Sequence, residues 1–276
     1  MVGFVSKRIL VILSERGYWA EELVGPLTEF DARGYEVRFA TPTGKRPHAL
    51  PPSLDESYVD PPLGRLVTTP EVAALGREVE ESSRLDNPIN LEELVPVRPY
   101  TSDHDYLRKL EAYHAAVDAL DIDEYDALLI VGGSGPIVDL ANNSRVHDLI
   151  IAFKQAGKLV GAECYGVACL AFARDWSDRK SIIWGKHVTG HCKEYDYLDG
   201  TGFLGTDFNM GPPPYPLEYI LRDATGPDGE YHGNFGKPLS VIVDYPFVTG
   251  RSTPDSFLTG KKMVEVLENG LTRYGW

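Results

Sequence analysis

The sequence predicts an α/β fold in which helices cover both faces of a mostly parallel sheet. Three observations predict it. The short aliphatic runs at Ile9-Leu10-Val11-Ile12-Leu13, Ala127 to Val131 and Lys158 to Ala162 have the unbroken apolar character of strands buried on both faces. The stretch from Ala20 to Arg33 places Leu23, Leu27 and Phe30 at helical spacing, and Gly34 ends it. Strand and helix signals then alternate along the chain, as crossover connections between parallel strands require.

In chain order, the first strand spans Arg8 to Leu13, the helix Ala20 to Arg33 follows, and a second strand from Tyr35 to Ala40 completes a βαβ unit. Residues 41–105 break the rhythm, with prolines scattered from Pro42 to Pro99. Proline removes ladder donors, so this insertion is expected outside the core sheet, with one helix around Glu71 to Glu81. It reads equally as a lid, an interface arm or a surface insertion. A helix from Tyr106 to Leu120 returns the chain to the sheet. Strands at Ala127 to Val131 and Lys158 to Ala162, a helix at Gly166 to Arg174 and a strand at Ser181 to Gly190 follow. A second excursion covers about residues 191–216. The chain closes with a strand at Leu239 to Val243, the segment Pro246 to Gly250 and a terminal helix. Thr253 is expected to cap that helix, with Pro254 at its first position. No linker divides two cores, so residues 1–276 are expected to form one domain.

The formal net charge of -14 repels phosphate backbones and anionic lipid, and no basic run offsets it, which argues against nucleic-acid and membrane partners. The apolar run after Lys7-Arg8 is too short for a signal-peptide core or a membrane span. Three cysteines cannot build a disulfide framework, so a reducing, cytoplasmic setting is expected.

The most informative segment is Lys158-Leu159-Val160-Gly161-Ala162-Glu163-Cys164-Tyr165-Gly166-Val167-Ala168-Cys169-Leu170. A buried strand runs straight into a helix with a cysteine at the turn and glycines close on both sides. This is the pattern of a nucleophile elbow, in which a sharp turn lifts a side chain above the sheet. A thiol there is expected to be exposed at a helix N-terminus, where the macrodipole favours thiolate. The alternative is a cysteine that merely packs.

The elbow, the turn Gly132-Gly133-Ser134-Gly135 with Asp139-Leu140, and Thr249-Gly250 with Pro254 and Ser256 resemble the ThiJ/PfpI superfamily of class I glutamine amidotransferase-like folds, most of all its heat-shock glyoxalase branch. The resemblance implies a flavodoxin-like three-layer sandwich with Cys164 as nucleophile. It implies that Glu22, four residues before Pro26, is a protonated carboxyl beside the thiol that serves as acid/base. It implies an oxyanion hole made by the backbone N–H groups of Gly133 and Tyr165. It also implies a homodimer without a cofactor, acting on a small-molecule substrate. That branch usually has histidine where this chain has Ser134 and Tyr165. His191, after Val188-Thr189-Gly190 at a strand end, is the candidate replacement imidazole, or else an ordinary loop histidine.

These readings point to a cysteine-dependent lyase or hydratase acting on a small electrophile such as an α-oxoaldehyde. A redox-sensing or chaperone-like stress protein is the alternative. A glutamine amidotransferase fits less well, because the chain lacks the His-x-Glu that such enzymes carry near the C-terminus. His187, His191 and Cys192 have a spacing that can hold a metal, but no further ligand accompanies them, and no metal is expected. Cys169, beside Leu170 and Phe172, reads as packing. The aromatics Tyr195, Tyr197, Phe203 and Phe208 fit a pocket wall or a core equally well.

Overall fold

A computed structural model describes residues 6–61, 63–198, 202–203 and 216–276. Its centre is an eight-stranded sheet. The strands are β1 (Arg8–Ile12), β2 (Glu36–Thr41), β3 (Ile89–Asn90), β4 (Ala127–Ile130), β5 (Leu159–Glu163), β6 (Val241–Asp244), β7 (Phe247–Gly250) and β8 (Arg273–Tyr274), in the order β8-β6-β7-β5-β4-β1-β2-β3. Pairing is parallel from β7 through to β3, and antiparallel where β6 meets β7 and β8.

Alternation along the central strands explains their unbroken apolar runs, because each face needs its own core. Ile9 and Val11 pack with Leu23, Leu27 and Phe30 of α1 (Ala20–Ala32) on one face. Leu10 and Ile12 join a second cluster on the other, with Leu149 and Phe153. The helices that follow α1 include α2 (Pro70–Glu81), α3 (Tyr106–Asp118), α4 (Ser144–Gln155), the short α5 (Ala168–Phe172), α6 (Leu217–Thr225) and α7 (Ser256–Asn269). Met263 and Val264 of α7 share the α1 face, whereas Leu149 and Phe153 belong to α4. The result is the expected three-layer α/β sandwich. Among the described residues, no helix is long and apolar enough to cross a membrane.

Four local expectations are corrected. The insertion does reach the core sheet: Ile89–Asn90 adds a parallel edge strand beside Ala40 and Thr41, which Pro88 permits because it precedes the pairing and costs no ladder donor. The stretch Ser181 to Gly190 is not one strand, since only His187–Val188 is extended, and it pairs with Glu230–Tyr231 in a separate two-stranded sheet. The positive φ of Gly185 turns the chain just before that strand. The expected helix at Gly166 to Arg174 is a 3-10 turn, Cys164–Val167, followed by the five residues of α5. Thr253 lies inside a 3-10 turn rather than capping the terminal helix. Within that turn the Asp255 carboxylate accepts from the Ser252 N–H at 3.1 Å, and no side chain caps the terminal helix.

The insertion is docked, not loose. Its Ser53 hydroxyl accepts the Ala20 N–H at 3.0 Å, satisfying one of the free donors at the start of α1. Its helix α2 buries Val72, Ala73 and Val79 and is capped by Thr69, which accepts from Val72 N–H at 3.3 Å. The second excursion is described only in part. Phe208 lies outside the described residues, as do the side chains of Tyr197 and Phe203.

Candidate active site

Strand β5 ends at Glu163, and the backbone turns at Cys164 with φ of +53°. A residue with a Cβ in this left-handed region costs about 1 kcal/mol, so surrounding structure must impose the conformation. The turn is held close against β4. A Cβ added to Gly166 would lie 2.7 Å from the Ile130 carbonyl oxygen, so only glycine fits two residues beyond the cysteine.

The Cys164 Sγ lies 3.3 Å from Nδ1 of His191. The opposite ring nitrogen, Nε2, is 2.9 Å from Oδ1 of Asp196. The Tyr165 hydroxyl donates to that same carboxylate oxygen, and its ring stacks on His191 with centroids 4.1 Å apart. These contacts hold the imidazole with Nε2–H toward the carboxylate and its Nδ1 lone pair toward the thiol. The backbone N–H groups of Gly133 and Tyr165 both act on the sulfur.

Glu22, in the first turn of α1, also interacts with the thiol. Gly132 makes room for this approach. A Cβ there would lie 2.3 Å from Oε2 of Glu22 and 2.7 Å from Cβ of Cys164. The Thr253 hydroxyl, expected to cap a helix, donates to Oε1 of Glu22 at 3.4 Å.

Burial controls the protonation of this group. It raises the Glu22 pKa to about 7, although the thiol, His191, Thr253 and the Gly133 N–H each favour the anion. Burial likewise opposes charge on His191, but Asp196 outweighs it, with help from Glu22 and Asp60, and the imidazole pKa is raised. Burial pushes the Cys164 thiol well up, the Glu22 charge adds to this, and the Gly133 and Tyr165 N–H groups oppose it.

The thiol therefore departs from the expected exposed, dipole-activated thiolate. Cys164 is only 5% exposed. The following 3-10 turn and short α5 supply little macrodipole, because that effect needs aligned peptide units over several turns. Nδ1 of His191, 3.3 Å from the sulfur, is within reach of its proton.

The structure thus brings Cys164, Glu22, His191 and the N–H groups of Gly133 and Tyr165 to one place, and adds three side chains that sequence reasoning missed. Asp196 follows His191 by five residues, but nothing in Lys193-Glu194-Tyr195-Asp196 distinguishes it from Glu194. Thr253, just before Pro254, has the sequence signature of a helix cap, which hides its contact with Glu22. Asp60, from the insertion, acts electrostatically on His191, and burial raises its own pKa. Nearby Tyr58 lies 6.4 Å, centroid to centroid, from Trp19 at the start of α1. The insertion therefore borders the site.

Other sequence candidates lie elsewhere. His187 and Cys192 do not join His191, because the strand ends at Val188 and the strand-face spacing is lost. Cys169 is fully buried, as a packing residue would be. Asp139 accepts from the Ser14 hydroxyl at 2.7 Å and the Glu15 N–H at 2.9 Å, tying the loop after β1 to the glycine-rich turn. Tyr195 stands beside the site, its ring 5.4 Å from that of His191.

Comparison with known proteins shows the family. A family model described as ThiJ/PfpI family-like matches residues 13–197. The chain belongs to this ThiJ/PfpI-like family. It is 28% identical over 148 residues to a bovine (Bos taurus) glutamine amidotransferase-like class 1 domain-containing protein 1, across 54% of this chain and 62% of the relative. It is 27% identical over 152 residues to the probable glutathione-independent glyoxalase hsp3103 of Schizosaccharomyces pombe, across 54% of this chain and 56% of that protein. The chain thus matches about six-tenths of the length of these curated relatives. Among solved structures, glyoxalase III from Candida albicans superposes with a TM-score of 0.63 at 17% identity, covering 95% of this chain and 98% of the other. That likeness is one of fold.

Proposed function

We propose that this protein is a cysteine-dependent, glyoxalase-like enzyme that converts a small α-oxoaldehyde to its 2-hydroxy acid. The observation that carries this reading is the relay from Cys164 through His191 to Asp196, with a near-neutral carboxyl, Glu22, facing the same sulfur. The similarity to a glyoxalase sequence and to a glyoxalase fold supports the substrate class.

In the proposed reaction Cys164 gives its proton to His191 as sulfur attacks the aldehyde carbon, and the new oxyanion forms against the Gly133 and Tyr165 N–H groups. Asp196 stabilises the imidazolium that forms. Protonation of the oxygen by His191 gives a hemithioacetal. Glu22, with a pKa close to neutrality, then moves the proton from the sulfur-bearing carbon to the neighbouring carbonyl carbon, while the hemithioacetal hydroxyl returns its proton to His191, which passes it to the neighbouring carbonyl oxygen. This oxidises the first carbon to the acyl level and reduces the second to an alcohol, with no external redox partner. Water cleaves the resulting thioester, releasing the 2-hydroxy acid and restoring the thiol.

The test is methylglyoxal consumption and lactate formation by the purified chain without glutathione, against Cys164→Ala. Cys164-dependent lactate supports the reading. No turnover above the variant, for methylglyoxal and other small aldehydes, overturns it. Oxidant sensing by Cys164 is less well supported, because peroxide reacts with thiolate and this thiol is buried with its pKa pushed up.

A further inference from the structure

The histidine spacing that reads as a possible metal site leads somewhere else in three dimensions. His187 does not meet His191. It meets residues from a later part of the chain. The two-stranded sheet pairs His187–Val188 with Glu230–Tyr231 in parallel and sets Glu230 opposite His187. His232 follows two positions after Glu230, on the same face, and its N–H donates to the Val188 carbonyl at 2.8 Å. As a result, Nδ1 of His187 and Nε2 of His232 lie 2.8 Å apart. One ring nitrogen of each histidine and a Glu230 carboxylate oxygen all fall within 4.8 Å of one another.

We propose that His187, Glu230 and His232 form a binding site for a divalent transition-metal ion such as Zn²⁺, separate from the Cys164 site. Two imidazoles and one carboxylate make a three-ligand set that leaves a fourth position for water. Zinc–nitrogen bonds of about 2.0–2.1 Å in tetrahedral geometry place ligand nitrogens about 3.3 Å apart, so the two rings need to open by only about half an ångström. The ligands are also held in place, as a metal site requires. The His187 N–H donates to Oδ2 of Asp244 at 2.9 Å, and its ring stacks on the Trp276 indole with centroids 3.5 Å apart and planes 7° from parallel. The Thr189 hydroxyl donates to the His232 carbonyl at 2.6 Å. Both histidines are half-buried and Glu230 is exposed, which gives a hydrated ion a way in. The net charge of -14 favours cation approach. The stacked Trp276 provides an optical reporter beside the site.

The test is titration of metal-free, untagged protein with ZnCl₂ by isothermal calorimetry, and with CuCl₂ by tryptophan emission. The expected result is one equivalent of Zn²⁺ bound at micromolar Kd or tighter, weakened on the order of 10²-fold by His232→Ala or His187→Ala and about tenfold by Glu230→Gln. Cys164→Ala keeps full zinc affinity, and Trp276→Phe keeps zinc binding while losing most of the copper quench. Glu230 is exposed, so Glu230→Gln decides the matter if a histidine variant fails to fold. The proposal is overturned by a Kd weaker than about 100 µM, about two orders of magnitude beyond a micromolar site. It is also overturned if zinc affinity survives Glu230→Gln unchanged, or if it is lost in Cys164→Ala, which would place the ion at the thiol.

Discussion

Replacing Asp196 with asparagine isolates the charge behind the imidazole. The substitution keeps the volume and one hydrogen-bonding oxygen near Nε2 of His191, but removes the carboxylate that stabilises the imidazolium. Two unit charges 2.9 Å apart at an effective dielectric constant of about 20 interact by about 6 kcal/mol. The two side chains keep 13% and 6% of their exposure, and the amide retains part of the interaction, so about half of that is expected in the transition state. About 3 kcal/mol corresponds to a loss of about 150-fold in kcat/KM. Because Asp196 raises the His191 pKa, Asp196→Asn should also shift the acid limb of the rate profile, where His191 must lose its proton before it can accept that of the thiol, toward lower pH. Lactate formation from methylglyoxal across a pH series measures both effects, with a thermal melt to show that the variant is folded. A folded Asp196→Asn variant within about threefold of wild type, with an unmoved acid limb, would refute the relay, since threefold is well under 1 kcal/mol.

Four further outcomes are expected. Glu22→Gln should lower kcat at least about tenfold, the low end for a general acid/base, while Glu21→Gln leaves it nearly intact in the same assay. Burial, then Glu22 and Asp255, raise the Glu21 pKa from 4.5 to about 8, so the folded state holds a proton that the unfolded chain releases. Stability should therefore fall as pH rises through that window, and denaturant melts at both ends should show a flatter slope for Glu21→Gln. Tyr165→Phe removes one donor to Asp196 but leaves the stacked ring and the backbone N–H, so a loss of a few-fold is expected, well short of that in Asp196→Asn; equal losses would give the phenol a larger role. Under limiting alkylation with peptide mapping, Cys164 should label more slowly than an open thiol yet ahead of the fully buried Cys169 and Cys192.

Much of the architecture follows from local sequence. Strand β1 has to be buried on both faces because Ile9 to Leu13 offers no polar side, and the α1 stripe of Leu23, Leu27 and Phe30 has to find a core. The elbow at Cys164 was legible because a sharp turn between buried elements needs glycine within a few residues, a short-range requirement. Glu22 was legible only through the family resemblance. Its spacing does not separate it from Glu21, and both prove to be buried.

What only the tertiary structure decided depends on chain closure and on water. Cys164, His191 with Asp196, Thr253 and Glu22 come from four separate stretches, and the partnership among them arises from how the sheet order places the loops beyond β5 and β7 beside the start of α1. The protonation of the thiol was misjudged from sequence, because local position promised a dipole while the desolvation that outweighs it comes from the whole surrounding fold. The same holds for His187. Along the chain it is spaced to pair with His191, but strand register gives it Glu230 and His232 instead. Turns and amphipathic faces are encoded within a few residues, whereas burial and partnership belong to residues that meet only after the chain has folded.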